Sequence, residues 1–439
     1  MVKASLLSPI RFAFRDNNSL PDKLRGLQEF GPFSPSTPGI PKFGFVFPTE
    51  YRDDANKLYL VLKNGVGPFK GVETTFRFPL RREQVSAVTD FSVQGKSPRE
   101  AARIYAGAVL NSVARQRRET RPDLFFIIHP ETPSAEPETP YYECKAALLK
   151  AGLLSQSVTH ELITDDAKFR WSAANIALGA FVKMGGVPWV VYGEELEQDL
   201  ILGLGRAYLY EPTTRHTTGY IGFTACFSAR GVFKFLSLAE VAQTKSEYLR
   251  LLGKAVSNTL QRAQRIGSQT GSLTLHVPKE FGREELSAVR SAVSGYSAEV
   301  IPEIAVTKVV EESSFFAIDP RFSDGVPMRG TVIQTTDRDY MLYTEGREEK
   351  ESWGRRLPVA LRVTPQGLLK SPQRVLSLLR QINDLSQVNW RGFNARSQPI
   401  SIYYGSLIAR LLSHIAIDDV PQLTSPESLA VLENRMWFI

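Results

Sequence analysis

The feature that most limits what this chain can become is an alternation of short apolar runs with capped helical stretches between residues 43 and 192. FGFVFP (Phe43–Pro48) is apolar and closed by a proline, as a strand buried on both faces requires. DDANKLYLVLKNG follows, acidic at its start and stopped by glycine, the pattern of a capped helix. SPREAARIYAGAVLNSVARQRR sets Ser97 three residues before Glu100, a capping box ahead of a long helix. LFFIIHP (Leu124–Pro130) is a second buried strand, and PYYECKAALLKAGLLSQ (Pro140–Gln156) opens as an amphipathic helix. HELIT, RWSAANIALGAFVKMGG and PWVVYG carry the alternation on as strand, helix and strand. The pattern predicts a parallel α/β domain over residues 41–192. Ligands of such sheets bind beyond the carboxyl ends of the strands, near helix N-termini.

The flanking regions differ. Residues 1–40 are expected to be irregular, because FGPFSPSTPGIPKFG is rich in proline, glycine and serine. From Asp199 the pattern becomes DLILGLGRAYLY, TGYIGFTACFSA and GVFKFLSLAEVA, three strands with short connections. The helix KSEYLRLLGKAVSNTLQRAQRIG, the strand GSLTLHVPK, the helix GREELSAVRSAV and the strand AEVIPEIAVTKVV follow. Three antiparallel strands and then alternating helix and strand is the order of an RNase H-like domain, here residues 193–439.

Composition excludes several classes. No run of eighteen apolar residues exists, and MVKASLLSPIRFAF lacks the apolar core and cleavage site of a signal peptide, so a cytoplasmic protein without a membrane span is expected. Two cysteines, Cys144 and Cys226, make no disulfide framework. Five scattered histidines show no zinc-ligand spacing. With 53 Lys+Arg against 46 Asp+Glu the net charge is +7, which permits a polyanionic partner without requiring one. RFPLRR and ARQRRETR gather cations in the first third, either for such a partner or as solvated surfaces.

The chemistry gathers around the helix YYECK. Tyr141 and Lys145 are spaced i, i+4 and share one face. A terminal phosphate on a nucleic-acid strand needs fixed cations, a flat ring for the base and often a divalent ion. Lys183, just ahead of the Gly-Gly stop, offers a second ammonium, and Asn175 lies two turns earlier on that helix.

Taken together, YYECK…LLSQ…NIALGAFVKMGG, then ILGLGRAYL, VNWRGFNARSQPISIYYGSLIARLLSHI and the ending MWFI resemble the MID and PIWI lobes of a short prokaryotic Argonaute, over roughly residues 20–439. The resemblance implies a Rossmann-like MID domain followed by an RNase H-like PIWI domain, after the irregular segment 1–40. It implies that Tyr141, Lys145, Gln156 and Lys183, supported by Asn175, hold the 5′-phosphate of a guide. It further implies that the carboxylate of Ile439 and Gln156 coordinate Mg²⁺ beside that phosphate. Asn389 and Arg391, in NWRGF, are candidates for guide-backbone contacts, or for a turn packed by Trp390 and Phe393. The sequence departs from the pattern at Gly179, where many relatives carry a polar side chain.

The same resemblance bears on cleavage. The positions of the three nuclease carboxylates hold Gly205, Pro278 and Ser406, none of which ligates metal as a carboxylate does, so an inactive PIWI domain is expected. GLGRAY is not a dinucleotide loop, because Tyr208 stands where the third glycine belongs. The implied protein is a guide-directed sensor, with a guide RNA and a single-stranded DNA target from an invader. Its implied partner joins a PAZ-analogous domain to an effector, a sirtuin-like or TIR NAD⁺ hydrolase or a nuclease. Alternatives are a stand-alone binder acting sterically or as a homodimer, an active nuclease using Asp199, Glu280 or Asp384, and an α/β domain for a phosphorylated metabolite.

Overall fold

A computed structural model of the 439-residue chain describes residues 3–35, 40–117, 120–132, 139–193, 199–210, 217–242, 244–265, 272–294, 303–348, 358–366, 372–414, 430–431 and 433–439. Part of the loop ETPSAEPETP, residues 133–138, lies outside them.

The N-terminal segment is not irregular. It holds β1 (Lys3–Leu6), β2 (Phe12–Ala13), β3 (Ser19–Leu20) and helix α1 (Lys23–Phe30), whose first turn is capped by Asp22 accepting from the Arg25 N–H. The Pro/Gly/Ser-rich stretch that suggested a loop begins only after α1, whereas Phe12, Phe14 and Leu27 are buried. The Phe14 ring lies against α1 because position 26 is glycine; a Cβ there would fall 2.1 Å from the ring.

Four short strands then form the parallel sheet β5-β4-β6-β7, with β4 at Phe43–Val46, β5 at Val85–Val88, β6 at Leu124–His129 and β7 at Ser155–Thr159. Helices α2 (Arg52–Asn64), α3 (Gly71–Phe76), α4 (Pro98–Arg115), α5 (Pro140–Lys150), α6 (His160–Thr164) and α7 (Asp166–Lys183) connect and cover it. The capping box at α4 is formed: Ser97 Oγ accepts from the Glu100 N–H and the Glu100 carboxylate accepts from the Ser97 N–H at 3.0 Å. Three strand assignments need correction. HELIT is helix α6, because Thr159 caps it by accepting from the Leu162 N–H; the strand is the preceding SQSVT, whose polar residues mask it. VSAV supplies β5, too short and half-exposed to read as a strand from its sequence. PWVVYG contributes only β8 (Val190–Val191), which joins β2 and β3 in a separate sheet.

The second half forms a nine-stranded sheet in the order β1-β14-β15-β16-β13-β12-β9-β10-β11. Its strands are β9 (Asp199–Tyr210), β10 (Thr217–Ser228), β11 (Phe233–Ala242), β12 (Ser272–Val277), β13 (Glu303–Glu312), β14 (Thr331–Gln334), β15 (Tyr340–Tyr343) and β16 (Ala360–Gln366). β9, β10 and β11 are antiparallel, and β9, β12 and β13 run parallel, which is the RNase H-like order. Side chains alternate across the sheet. Leu200 and Leu202 meet α8 (Lys245–Arg265) and α9 (Arg283–Ser294) on one face, while Ile201, Phe223 and Phe227 meet α11 (Ile400–Leu412) on the other. Helix α10 (Pro372–Gln387) packs through Leu379 and Ile382 against β13, β14 and β16.

One hydrophobic cluster runs through all these parts, from Phe12 and Phe14 through Phe181 and Trp189 to Phe227, Trp390, Tyr404 and Phe438. Among the described residues no helix is long and apolar enough to cross a membrane, and both cysteines are buried and free. Because Phe14 belongs to the shared cluster, Phe14→Ala is expected to destabilise the whole chain by about 3–5 kcal/mol, the usual cost of emptying a buried aromatic site. Urea unfolding of the two proteins measures it; an unchanged midpoint would show the segment to be dispensable.

Candidate nucleic-acid interface

Helix α5 starts where Thr139 accepts from the Tyr142 N–H and Pro140 takes the first helical position, which fixes the phase of the helix and turns Lys145 inward. Lys145 is 3% exposed, and its Nζ lies 5.5 Å from the centre of the Tyr141 ring. Lys183 ends α7 and is 1% exposed; its Nζ donates to Gln156 Oε1 at 2.6 Å. Helices α5 and α7 and strand β7 thus bring together residues separated by up to forty positions in the sequence.

The departure at Gly179 has a steric cause. A Cβ there would stand 2.8 Å from Gln156 Oε1, so the missing side chain is what lets Gln156 reach Lys183. The Gly-Gly stop also has one. Gly185 has φ +93°, and the Arg435 guanidinium occupies the space a Cβ would take while donating to the Met184 carbonyl at 2.6 Å. The C-terminal tail is thereby hooked onto the helix end that carries Lys183. Trp437, Phe438 and Ile439 are buried, with Phe438 packed against Phe233 and Tyr404.

Other expected residues take different places. Asn175 Oδ1 accepts from the Phe393 N–H at 3.3 Å, so it braces the NWRGF turn and is spent there. Asn389 is 1% exposed and internally engaged: its Oδ1 accepts from the Arg391 N–H and its Nδ2 donates to the Asn394 carbonyl. It builds the turn. Arg391 is exposed, donates to the Tyr403 hydroxyl at 3.0 Å, and stands close enough to depress the pKa of both lysines. The Tyr141 ring is covered on one side by the Lys145 ammonium and meets Tyr142 edge-on, with centroids 4.9 Å apart.

Sequence reasoning missed two features. Tyr142 stacks on His414 with centroids 3.5 Å apart, and a cleft beside that pair is lined by Lys145, Ala146, Leu149 and Leu411. The Arg435 hook was also missed. Neither leaves a local signal, because each joins residues far apart in the chain.

The electrostatics are those of an anion site. Burial, then Arg391, pushes Lys145 down to about 7; burial, Lys145 and Arg391 push Lys183 well below the ordinary lysine range. Among the described residues no carboxylate acts on either. The same facts bear on Mg²⁺. One expected ligand, Gln156 Oε1, accepts from Lys183 Nζ, and the other is the carboxylate of Ile439, a buried residue of the tail. The glutamine oxygen alone does not fit a divalent cation; the carboxylate would have to supply the charge.

The nuclease positions do not converge on a metal site either. Gly205 faces Phe223 across the β9–β10 pair, and a Cβ at Gly205 would fall 2.2 Å from the Phe223 ring. Pro278 is exposed just past β12, and Ser406 donates to the Ile402 carbonyl in its own helix. Asp199 accepts from Ser272 at the start of β12, while Glu280 lies beyond that strand's other end. Asp384 is buried on α10 beside Arg380, and burial raises its carboxyl to about 6. Among the described residues no three His, Cys, Asp or Glu side chains group as metal ligands.

A parallel α/β sheet set against an RNase H-like sheet defines the class of fold. Residues 127–415 match the Piwi domain family, and the chain belongs to it. It is 20% identical to the protein argonaute of Cereibacter sphaeroides over 94% of this chain and 56% of that protein. It is 22% identical to the Piwi protein of Archaeoglobus fulgidus over 68% of this chain and 71% of that one. The chain thus spans little more than half of the first of these relatives. Among solved structures, Clostridium butyricum Argonaute bound to a guide DNA and a 19-mer target DNA matches with TM-score 0.69 and 16% identity, over 94% of this chain and 53% of that one. Drosophila Piwi matches with TM-score 0.71 and 13% identity, over 99% and 56%.

The buried lysines make stability depend on pH. Unfolded lysines titrate near 10.4, so above pH 7 the unfolded chain holds more protons than the folded one and stability rises with pH. Below pH 7 the cost of burying the charge is fully present. Thermal melts of nucleic-acid-free protein are expected to show Tm rising from pH 7 to about 7.8, below the midpoints at about 8.5 and about 10 where unfolded thiols and phenols ionise. Lys145→Met is expected to raise Tm at pH 7 and to flatten the slope. An unchanged slope in the variant would mean that Lys145 is not buried as a cation.

Proposed function

We infer that the chain binds the 5′-phosphorylated end of a guide strand between α5, β7 and α7 and presents that guide for pairing with a complementary strand, without cutting it. The observation that carries this reading is the pair of buried lysines, Lys145 and Lys183, acted on by the charge of Arg391 and by no carboxylate among the described residues. A phosphate dianion supplies the charge that this arrangement lacks, and its arrival would return both lysines to their charged state. Tyr141, next to Lys145, offers its ring to the terminal base. The Argonaute of Clostridium butyricum, bound to guide and target DNA, supports the strand-pairing part of the reading.

The absence of cleavage is supported by Phe223. Its ring fills the space in front of Gly205 where a first carboxylate would have to project. A chain that recognises and does not cut needs a partner to act. We therefore assign it the part of sensor in a cytoplasmic prokaryotic defence complex, with a guide RNA, a single-stranded DNA target from an invader, and a separate effector chain carrying a PAZ-analogous domain. Sirtuin-like or TIR NAD⁺ hydrolases and nucleases are the effector types.

Binding of labelled oligonucleotides bearing a 5′-phosphate or a 5′-hydroxyl tests the pocket. Lys145→Ala with Lys183→Ala is expected to weaken the phosphorylated strand about 100-fold or more, at about 1.5–3 kcal/mol for each charged contact, and the hydroxyl strand little. Equal losses would reduce the lysines to general backbone contacts. The same titration with and without a chelator reads directly whether a divalent ion enters with the phosphate.

A further inference from the structure

We propose that Lys23, on the N-terminal helix α1, is a positioning residue for this pocket: through the Phe393 carbonyl it holds the 390–393 turn so that Arg391 stands beside Lys145 and Lys183. The proposal rests on the phosphate-binding reading above and adds to it a residue outside both the α/β sheet and the RNase H-like sheet.

Lys23 is the first residue of α1, where the helix dipole disfavours a cation, so local preference does not account for it. It is 8% exposed, a rare state for lysine. Its Nζ donates to the Phe393 carbonyl at 2.9 Å and lies 4.9 Å from the centre of the Phe12 ring and 5.7 Å from that of Trp189. Two aromatic faces and a carbonyl thus replace the ammonium's water.

The bonded carbonyl belongs to the residue whose N–H donates to Asn175 on α7. Phe393 is therefore gripped on both sides of one residue, by the N-terminal segment and by the pocket's own helix. At the other end of the turn the Trp390 indole donates to the Trp189 carbonyl at 3.1 Å, and its backbone N–H donates to the Tyr404 hydroxyl at 2.8 Å. Arg391 projects from between these anchors. It is exposed and free of any carboxylate contact among the described residues, it donates to the Tyr403 hydroxyl, and its charge acts on both lysines. Such a group would swing freely on a loose loop; the anchors fix its origin so that an arriving anion finds it in place.

The test is a double-mutant cycle on the full chain, reading the preference for a 5′-phosphorylated over a 5′-hydroxyl oligonucleotide. Lys23→Met is expected to lower that preference about tenfold, the scale of one charge-assisted contact. In an Arg391→Ala background the same change is expected to add no more than about twofold, because Lys23 acts through Arg391. An equal loss for both oligonucleotides, a full tenfold loss in the Arg391→Ala background, or no loss at all would each overturn the proposal. A wild-type protein without any phosphate preference would instead sink the functional reading itself. Should Lys23→Met fail to fold, Asn175→Ala frees the same residue from its other side, and the same cycle with Arg391→Ala decides.

Discussion

The structure turns on the burial of two lysine amines that burial and neighbouring cationic charge push toward the neutral form. Placing Lys145 and Lys183 in the interior, with a third cation at their edge, costs free energy that neither helix propensity nor hydrogen bonding returns locally. The cost is tolerated because the surroundings are over-determined. The aromatic cluster joining the N-terminal segment, both sheets and the C-terminal tail holds α5 and α7 where they are. Gln156 gives Lys183 one neutral acceptor, and Gly179 leaves room for it. A fold organised for stability alone would pair these amines with a carboxylate, and none of the described residues supplies one.

How much of this was legible depended on the range over which each signal acts. Tyr141 and Lys145 were visible because i, i+4 spacing on a helix is a local fact, and the strands FGFVFP and LFFIIHP because both their faces are buried. In the second sheet β9 to β13 were legible as hydrophobic runs, whereas β1, β14, β15 and β16 were not. Strand SQSVT escaped because its serines and Gln156 are polar, with Gln156 held by Lys183, so no apolar run marks it. The structured N-terminus escaped for another reason. Lys23 and Phe393 lie 370 residues apart, and nothing within α1 announces a partner that distant. Asn175 and Asn389 were recognised as polar groups near the site, but composition does not distinguish a side chain that meets a ligand from one that shapes the turn beside it.

Strand β9 is packed closely by its neighbours. A Cβ at Gly205 would fall 2.2 Å from the Phe223 ring, and packing at that density leaves little slack. Gly203, two residues earlier on the same strand, lets the Ser401 carbonyl of α11 approach to 2.1 Å of where its Cβ would be. Both openings in β9 are thus used by neighbouring groups, and the central strand has become a packing surface.

These two features are connected through α11. That helix lies on β9, supplies Tyr404 to the Trp390 N–H and Tyr403 to Arg391, and packs against Phe438 of the tail. Its far end carries His414, stacked on Tyr142 beside Lys145. Helix α11 thus lines both the cleft beside Lys145 and the RNase H-like sheet. Any displacement of α11 would therefore be felt at Arg391, at the tail and at the Tyr142–His414 stack together. Because Gly203 leaves room for the Ser401 carbonyl, α11 sits closely against β9, and that closeness couples the turn, the tail and the sheet.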